Sequence, residues 1–172
     1  MVIWLIGLSG AGKTTIAREV YGQWKSTSSN TVLIDGDEIR EIFKHNKSDT
    51  AYTIGGRREN AERIVGLCRW LDRQDINVVC SILCIFEDIL ESNQKNYSSY
   101  FEVFVSVPLD ILKQRDVNNL YKPAIEGEKQ NVVGVDIPFP TPRSPDIIID
   151  NSNDDVDHKM IASNILRKAI NR

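Results

Sequence analysis

The sequence has no long hydrophobic run and no strong excess of charge of either sign. No apolar run approaches the roughly 20 residues that a membrane-spanning helix needs, and we expect no membrane partner. The first residues lack the basic start and the small-residue cleavage site of a signal peptide. The formal net charge of −3 gives no global field that would attract nucleic acid. Any polyanionic ligand must therefore be bound by local lysine and arginine residues.

Cysteine is also scarce. Cys68, Cys80 and Cys84 form an odd set without the spacing of a metal site. We predict that they are buried free thiols, which suit the reducing cytoplasm. The length of 172 residues predicts a single domain over residues 1–172, and 41% hydrophobic residues with 26% charged residues are typical of a globular chain.

Five apolar runs predict β-strands, and helical patterns alternate with them. Most of the runs are continuous, which is typical of strands buried on both faces. The alternation predicts an α/β fold in which helices flank a five-stranded parallel sheet. The predicted strands cover residues 2–8, 31–34, 77–83, 102–107 and 146–149.

The stretch Gly7-Leu8-Ser9-Gly10-Ala11-Gly12-Lys13-Thr14 follows the first predicted strand and precedes a helical pattern. Its glycines allow backbone N–H groups to turn inward around a phosphate. Lys13 would reach the β- and γ-phosphates of ATP, and the Thr14 hydroxyl would ligate Mg²⁺. The alternative is a glycine-rich turn with an incidental lysine. The ATP-binding residues predicted here are Gly7, Ser9, Gly10, Ala11, Gly12, Lys13, Thr14 and Thr15.

Two acids and an arginine follow the second predicted strand. Ligands of open α/β sheets lie beyond the carboxyl ends of the strands, so Asp35, Asp37 and Arg40 are expected beside the phosphates. The two acids share a face of an extended chain, where they would orient Mg²⁺ or accept a proton from an attacking hydroxyl. Arg40 would bind a phosphate of the acceptor. The alternative is a capped turn with Asp37 at a helix N-cap.

Three more cations and an asparagine are candidates for nucleotide contacts. Arg57 opens a helical pattern, where the helix dipole disfavours a cation, and this position indicates an anionic partner. Asn60 can hydrogen-bond a sugar or a base. Arg115 can stack on a nucleobase, and Lys122 can approach a transferred phosphate. Each also fits the simpler interpretation of an ordinary surface residue or helix-end cation.

Residues 118–145 contain five of the six prolines. A connection of about this length inside a compact domain is usually a lid or a disordered segment. Its aromatic and apolar residues favour a lid over the phosphate site.

Together these motifs resemble the adenylylsulfate (APS) kinase family over nearly the whole chain. After the glycine-rich loop, the match continues through Asp35-Gly36-Asp37-x-Ile39-Arg40, Arg57-x-Glu59-Asn60, Arg115-Asp116-Val117, Leu120-Tyr121-Lys122 and Gly134-x-Asp136. The resemblance implies a P-loop kinase fold and transfer of the γ-phosphate of MgATP to the ribose 3′-hydroxyl of a nucleotide. It also implies catalytic roles for Asp37, Lys13 and Lys122, a metal site at Thr14 and Asp37, and an ATP adenine contact at Arg115.

The acceptor side departs from the family pattern. Where the family has Ser-Pro-Tyr-Arg after the third strand, this chain has Cys84-Ile85-Phe86-Glu87. The lid phenylalanine that stacks on the acceptor base is Val132 here, whereas Tyr52 keeps the position of the other stacking aromatic. The predicted acceptor-binding residues are Asp35, Arg40, Tyr52, Arg57, Asn60, Ile82, Leu83, Glu87 and Val132.

These departures favour an acceptor other than APS. A smaller base and a terminal group with an N–H donor would suit Val132 and Glu87. Cytidine diphosphoramidate, the substrate of a capsule-pathway relative, has both. The alternatives are a true APS kinase, a kinase for another small acceptor, and a nucleotide-binding regulatory module without catalysis. The resemblance also allows a homodimer.

Overall fold

A computed structural model of the protein describes residues 1–116 and 119–171. Among these residues, five strands form one parallel sheet in the order β2-β3-β1-β4-β5. The strands are β1 (Val2–Ile6), β2 (Thr31–Asp35), β3 (Asn77–Ile82), β4 (Tyr100–Ser106) and β5 (Ile147–Asp150). The helices are α1 (Lys13–Thr27), α2 (Gly36–Ile42), α3 (Ile54–Asp72), α4 (Glu87–Asn96), α5 (Leu109–Arg115), α6 (Tyr121–Ile125) and α7 (His158–Ile170), with a 3₁₀ turn at His45–Lys47.

The predicted α/β fold with a five-stranded parallel sheet is confirmed. Its strands differ from the predicted runs by one or two residues at their ends. β1 stops at Ile6 because Gly7 packs against β4, where a Cβ atom would lie 2.4 Å from the carbonyl oxygen of Val105. Only glycine allows the chain to leave the sheet at this point.

The sheet is buried on both faces, as its continuous apolar strands predict. Ile3 and Leu5 of β1 face one core with residues of α1 and α7. Their neighbour Trp4 faces a second core, which includes Ile64 and Cys68 of α3. All five side chains are fully buried, and burying an aliphatic side chain of this size contributes about 1.5–3 kcal/mol.

The three cysteines are free and buried, as predicted. Burial raises the pKa of the Cys84 thiol to about 12, so this side chain stays protonated at neutral pH. The pKa of the Cys80 thiol is also raised, with burial as the main cause. These thiols act as small hydrophobic core residues.

The segment predicted as a lid lies against the loop that follows β1. Its predicted first residue, Asn118, is outside the described residues. The phenol of Tyr121 in α6 donates a hydrogen bond of 2.8 Å to the carbonyl oxygen of Ser9. The Asp116 carboxylate accepts hydrogen bonds from the backbone N–H groups of Leu120 and Tyr121, which lowers its pKa. We use the term lid segment for residues 119–145.

No helix within residues 1–116 and 119–171 has the length and apolar character that a bilayer crossing requires.

One buried carboxyl group predicts a pH-dependent stability. Glu102 in β4 is 2% exposed and accepts a hydrogen bond of 2.7 Å from the Tyr100 hydroxyl. Burial raises the pKa of Glu102, Asp146 adds to this effect, and the Tyr100 hydrogen bond opposes it. A raised pKa means that stability is greatest below the ordinary glutamate pKa and falls as the pH rises through the pKa of the folded state.

We therefore expect Glu102→Gln to increase the free energy of unfolding at pH 8 by on the order of 1 kcal/mol. The gain should vanish below about pH 4, where the protonated Glu102 is as neutral as the glutamine that replaces it. Urea unfolding across this pH range measures the difference. Glu126→Gln, at an exposed position, is the control and should change little. A gain that is independent of pH would contradict the assignment.

Candidate active site

A cavity of about 480 Å³ opens at the carboxyl edge of the sheet. It lies between the loop after β1, the ends of β2 and β3, the start of α3 and the lid segment. The predicted site residues that line it are Ser9, Lys13, Thr14, Asp35, Asp37, Arg40, Tyr52, Arg57, Asn60, Ile82, Leu83 and Val132. The structure thus brings together residues that are as much as 123 positions apart in the chain, the separation from Ser9 to Val132.

The glycine-rich loop has the shape of a phosphate cradle. Gly10 and Gly12 adopt φ angles of +75° and +90°, which side chains other than glycine rarely allow. The Lys13 ammonium donates a hydrogen bond of 2.8 Å to the Leu8 carbonyl oxygen. Burial lowers the pKa of Lys13 to about 8, although Asp37 and Asp35 favour its charged form. A poorly hydrated cation beside inward-turning amides fits a phosphate group.

Thr14 pairs with Asp35. Its hydroxyl donates a hydrogen bond of 2.7 Å to Oδ2 of Asp35, whose Oδ1 accepts one of 2.9 Å from the backbone N–H of Asp37. Asp35 is therefore both the N-cap of α2 and the carboxylate nearest to Thr14. The sequence predicted Thr14 with Asp37 as the metal pair and Asp35 as an acceptor contact. The structure places Asp35 beside the Thr14 hydroxyl, and the roles of the two acids stay predictions. The alternative of Asp37 as the N-cap is wrong, because Asp35 holds that position.

Asp37 points into solvent at the cavity and forms an ion pair with Arg40. The side chain of Asp37 is 89% exposed, and its Oδ1 lies 2.7 Å from Nη1 of Arg40. The buried Arg40 guanidinium also lies over the Tyr52 ring, 4.9 Å from its centroid. These contacts hold an exposed carboxylate and an aromatic face on the same side of the cavity.

Two buried polar atoms at the cavity lack a protein partner among the described residues. They are Oδ1 of Asn60 and Nε of Arg40. The Asn60 amide nitrogen is occupied, since it donates a hydrogen bond of 3.1 Å to the Gly36 carbonyl oxygen. A ligand that donates a hydroxyl proton and offers a phosphate oxygen would satisfy both atoms.

Arg57 connects α3 to the lid segment. Its Nε and Nη2 each donate a 2.8 Å hydrogen bond, to the carbonyl oxygens of Tyr52 and Asn131. The guanidinium also lies 5.7 Å from the centroid of the Tyr52 ring. Val132, which follows Asn131, is buried, and its backbone N–H is fixed by the Asp136 carboxylate. The lid segment therefore contacts α3 at this end of the cavity.

Several lining residues were not predicted from the sequence. Three of them, Lys129, Gln130 and Asn131, belong to no motif. Their position immediately before the predicted residue Val132 is the one sequence feature that could have indicated them. The others lie next to predicted residues or enter through tertiary packing, which no local pattern reveals. They are Gly36, Glu41, Asn46, Ser81, Leu120 and Val133.

Glu87, which the sequence predicted at the acceptor, lies apart from the residues that line the cavity. It begins α4, and its carboxylate forms an ion pair with Arg143, with Oε2 2.6 Å from Nη2. Within the described chain, Glu87 is not among the residues that line the cavity. The negative charge is stabilised by Arg143 and by the N-terminal end of α4.

Arg115 and Lys122 also lie apart from the main cavity as far as the described residues show. Arg115 lines a separate cleft of about 430 Å³ with Ile111 and Gln114 of α5. Its guanidinium is held there by Asp154, with Nη2 2.8 Å from Oδ1. Lys122 is exposed in α6, and its backbone N–H donates a hydrogen bond to Asp116. The remaining predicted residues form the glycine-rich loop or begin α1. They are Gly7, Gly10, Ala11, Gly12 and Thr15.

A strand–loop–helix phosphate cradle with this threonine–aspartate pair, set in a parallel sheet, defines a P-loop kinase. The family model of adenylylsulphate kinase matches residues 1–150. The chain belongs to that family, which confirms the resemblance noted in the sequence.

Two relatives show the range of acceptors in this family. The chain is 38% identical over 151 residues to cytidine diphosphoramidate kinase of Campylobacter jejuni, covering 88% of this chain and 86% of the relative. It is 35% identical over 147 residues to adenylyl-sulfate kinase of Halothermothrix orenii, covering 86% and 78% of the two chains. The two identities are similar, so the acceptor has to be argued from the site.

The fold is shared with a solved APS kinase. The Mycobacterium tuberculosis APS kinase in complex with AMPPNP and APS has a TM-score of 0.83 and 24% identity, and the match covers 97% of this chain and 95% of that one. Family and relatives together make this protein a nucleotide kinase.

The lowered pKa of Lys13 predicts how triphosphate affinity depends on pH. The free protein loses the Lys13 charge as the pH rises through about 8, whereas a bound triphosphate favours the charged form. We expect the Kd of a non-hydrolysable ATP analogue to rise by up to about tenfold between pH 7.5 and pH 9. Calorimetric titration measures this. Lys13→Arg keeps its charge over this range and should give weaker but pH-independent binding. A constant Kd for the unaltered protein would contradict the role of Lys13.

Proposed function

We propose that this protein transfers the γ-phosphate of ATP to the ribose 3′-hydroxyl of a nucleotide, with residues 1–172 acting as one kinase domain. The observation that carries the proposal is the single cavity that joins the Lys13 and Thr14 end to the Arg40 and Tyr52 end. Asp37 lines this cavity and connects its two ends. It forms an ion pair with Arg40, and its negative charge favours the charged form of Lys13. Membership of the APS kinase family supports a catalytic role over a regulatory module.

The donor half fits ATP with Mg²⁺. The glycine-rich loop and Lys13 would hold the β- and γ-phosphates, and Arg115 would contact the adenine in its separate cleft. The Thr14 hydroxyl and the Asp35 carboxylate are oxygen ligands of the kind that Mg²⁺ prefers. Bound Mg²⁺ would neutralise charge on the transferred phosphate.

The acceptor half fits a nucleotide whose ribose faces Asp37. We assign Asp37 as the acid that orients the 3′-hydroxyl and accepts its proton, while Arg40 fixes the carboxylate. The free Nε of Arg40 and Oδ1 of Asn60 would bind an acceptor phosphate and a hydroxyl. Lys122 is assigned to the transferred phosphate, which requires α6 to move toward the cavity.

Cytidine diphosphoramidate is the acceptor that we favour. Tyr52 offers one aromatic face, and Val132 offers an aliphatic surface where the family has a second stacking aromatic. A pyrimidine needs less stacking surface than adenine. The Campylobacter jejuni relative with this acceptor is 38% identical. Glu87 no longer supports this choice, because it pairs with Arg143.

A true APS kinase is the second candidate. Arg40, Arg57, Asn60 and the aromatic Tyr52, to which the resemblance assigns the acceptor, all line the cavity. The 35% identity to the Halothermothrix orenii adenylyl-sulfate kinase supports APS as the acceptor in the same way.

The Asp37 assignment predicts a selective loss of turnover. Asp37→Asn removes the proton acceptor and keeps the size of the side chain, so we expect kcat to fall by at least 100-fold. The Kd of an ATP analogue should change little. A coupled ADP-release assay and calorimetry give the two values. Turnover near that of the unaltered protein would exclude Asp37 as the catalytic acid–base residue.

A panel of acceptors tests the proposed function directly. With MgATP, we expect the highest kcat/KM for cytidine diphosphoramidate, lower values for APS, and weaker activity with CDP and CMP. Acceptor-dependent ADP release is the readout. A clear preference for APS would support the second candidate, and no acceptor-dependent release with any of these nucleotides would contradict the proposal.

Val132 and Glu87, where the chain differs from the family pattern, should affect acceptor choice differently. Val132→Phe restores a stacking face and should shift kcat/KM toward APS, since one base–aromatic stack is worth on the order of 1–3 kcal/mol. Glu87→Gln should leave acceptor preference unchanged, because Glu87 contacts Arg143 outside the cavity. Melting temperatures show whether the larger side chain is accommodated at the buried Val132 position. A shift caused by Glu87→Gln would contradict the placement.

A further inference from the structure

We propose that Asn151 is a positioning residue of the donor site, which fixes the glycine-rich loop and joins it to the Arg115 cleft. Asn151 follows β5 and is 5% exposed. It belongs to none of the motifs that carry the family resemblance. The inference rests on the proposed function for the identity of the donor nucleotide.

The side chain of Asn151 holds the loop directly. Its Nδ2 donates a hydrogen bond of 2.9 Å to the carbonyl oxygen of Ala11. The same nitrogen packs so closely on Gly12 that a Cβ atom there would lie 2.3 Å from it. The amide therefore fixes the Ala11–Gly12 peptide from one side.

This contact determines which way a loop amide points. In a trans peptide, the carbonyl oxygen and the following N–H lie on opposite sides of the chain. With the Ala11 oxygen held by Asn151, the Gly12 N–H is directed to the side away from Asn151. A cradle for phosphate needs amides that are oriented before the anion binds.

Asn151 is itself held in one orientation. Its backbone N–H donates a hydrogen bond of 3.1 Å to the Ser106 carbonyl oxygen at the end of β4. Nε2 of His158, the first residue of α7, lies 3.3 Å from the side-chain Oδ1. Since an amide oxygen only accepts, a proton on Nε2 of His158 is donated to it, and this leaves Nδ2 to face Ala11.

The backbone of Asn151 reaches the second part of the donor site. Nη1 of Arg115 donates a hydrogen bond of 3.0 Å to the Asn151 carbonyl oxygen, and Nη2 donates one of 2.9 Å to that of Ser152. One residue thus contacts the phosphate loop through its side chain and the Arg115 cleft through its main chain. The two contacts can be separated by mutation, because Asn151→Ala removes only the first.

The test compares binding of ATP with binding of inorganic tripolyphosphate, which carries the phosphates without the base. Loss of one buried hydrogen bond and release of the loop should weaken both ligands by a similar factor in Asn151→Ala, about five- to tenfold. Asn151→Asp should weaken both at least as much, because a carboxylate cannot donate to the Ala11 oxygen. His158→Ala should have a smaller effect in the same direction. Calorimetric Kd values at one pH are the measurement.

Asn93→Ala is the matched control, because Asn93 is a fully buried asparagine in α4. It should lower the melting temperature without changing either Kd. Equal loss of affinity in Asn93→Ala and Asn151→Ala would reduce Asn151 to a general stabilising residue and overturn the inference. So would unchanged tripolyphosphate binding in Asn151→Ala. If the unaltered protein binds neither ATP nor tripolyphosphate, the proposed function fails together with this inference. If the unaltered protein and Asn151→Ala bind both ligands equally well, the inference alone is refuted.

Discussion

The partly buried ammonium of Lys13 is the charge around which the site is arranged. Burial lowers its pKa, and the negative charges of Asp37 and Asp35 oppose part of this shift. A cation with little hydration binds a phosphate strongly, because Coulomb attraction grows as the local dielectric falls. The lid segment contacts the same loop through the hydrogen bond from Tyr121 to the Ser9 carbonyl oxygen. The edge of the sheet, the two acids and the glycine-rich loop therefore meet around the Lys13 charge.

Much of the fold and the shape of the glycine-rich loop could be predicted from the sequence. Continuous apolar runs specify strands buried on both faces, and the spacing of the glycines with Lys13 specifies the loop geometry. The separate placements of Asp35 and Asp37 could not be predicted, because both acids share a face of an extended chain. The start of α2 separates them, since Asp35 becomes the N-cap. Glu87 was misplaced because its partner, Arg143, is 56 residues away, and such pairings depend on tertiary structure.

The acceptor half is built from parts that lie far apart in the chain. Tyr52 comes from the connection before α3, and both of its arginine neighbours lie within 6 Å of its ring centroid, at 4.9 and 5.7 Å. Val132 of the lid segment lines the same cavity and follows Asn131, whose carbonyl oxygen accepts the Arg57 hydrogen bond. The glycine-rich loop has less freedom, because positive φ angles restrict Gly10 and Gly12 and close packing on Asn151 also restricts Gly12.

Two hydrogen bonds that join the lid segment to α3 and to the glycine-rich loop end on main-chain carbonyl oxygens. Arg57 donates to the carbonyl of Asn131, and Tyr121 donates to that of Ser9. Such contacts are indifferent to the side chain at the accepting position. Asn131 itself adopts a φ angle of +64°, which few residue types allow, but the side chain of residue 132 takes no part in either contact. Substitution at position 132 can therefore change the lining of the cavity while the lid segment keeps these two attachments.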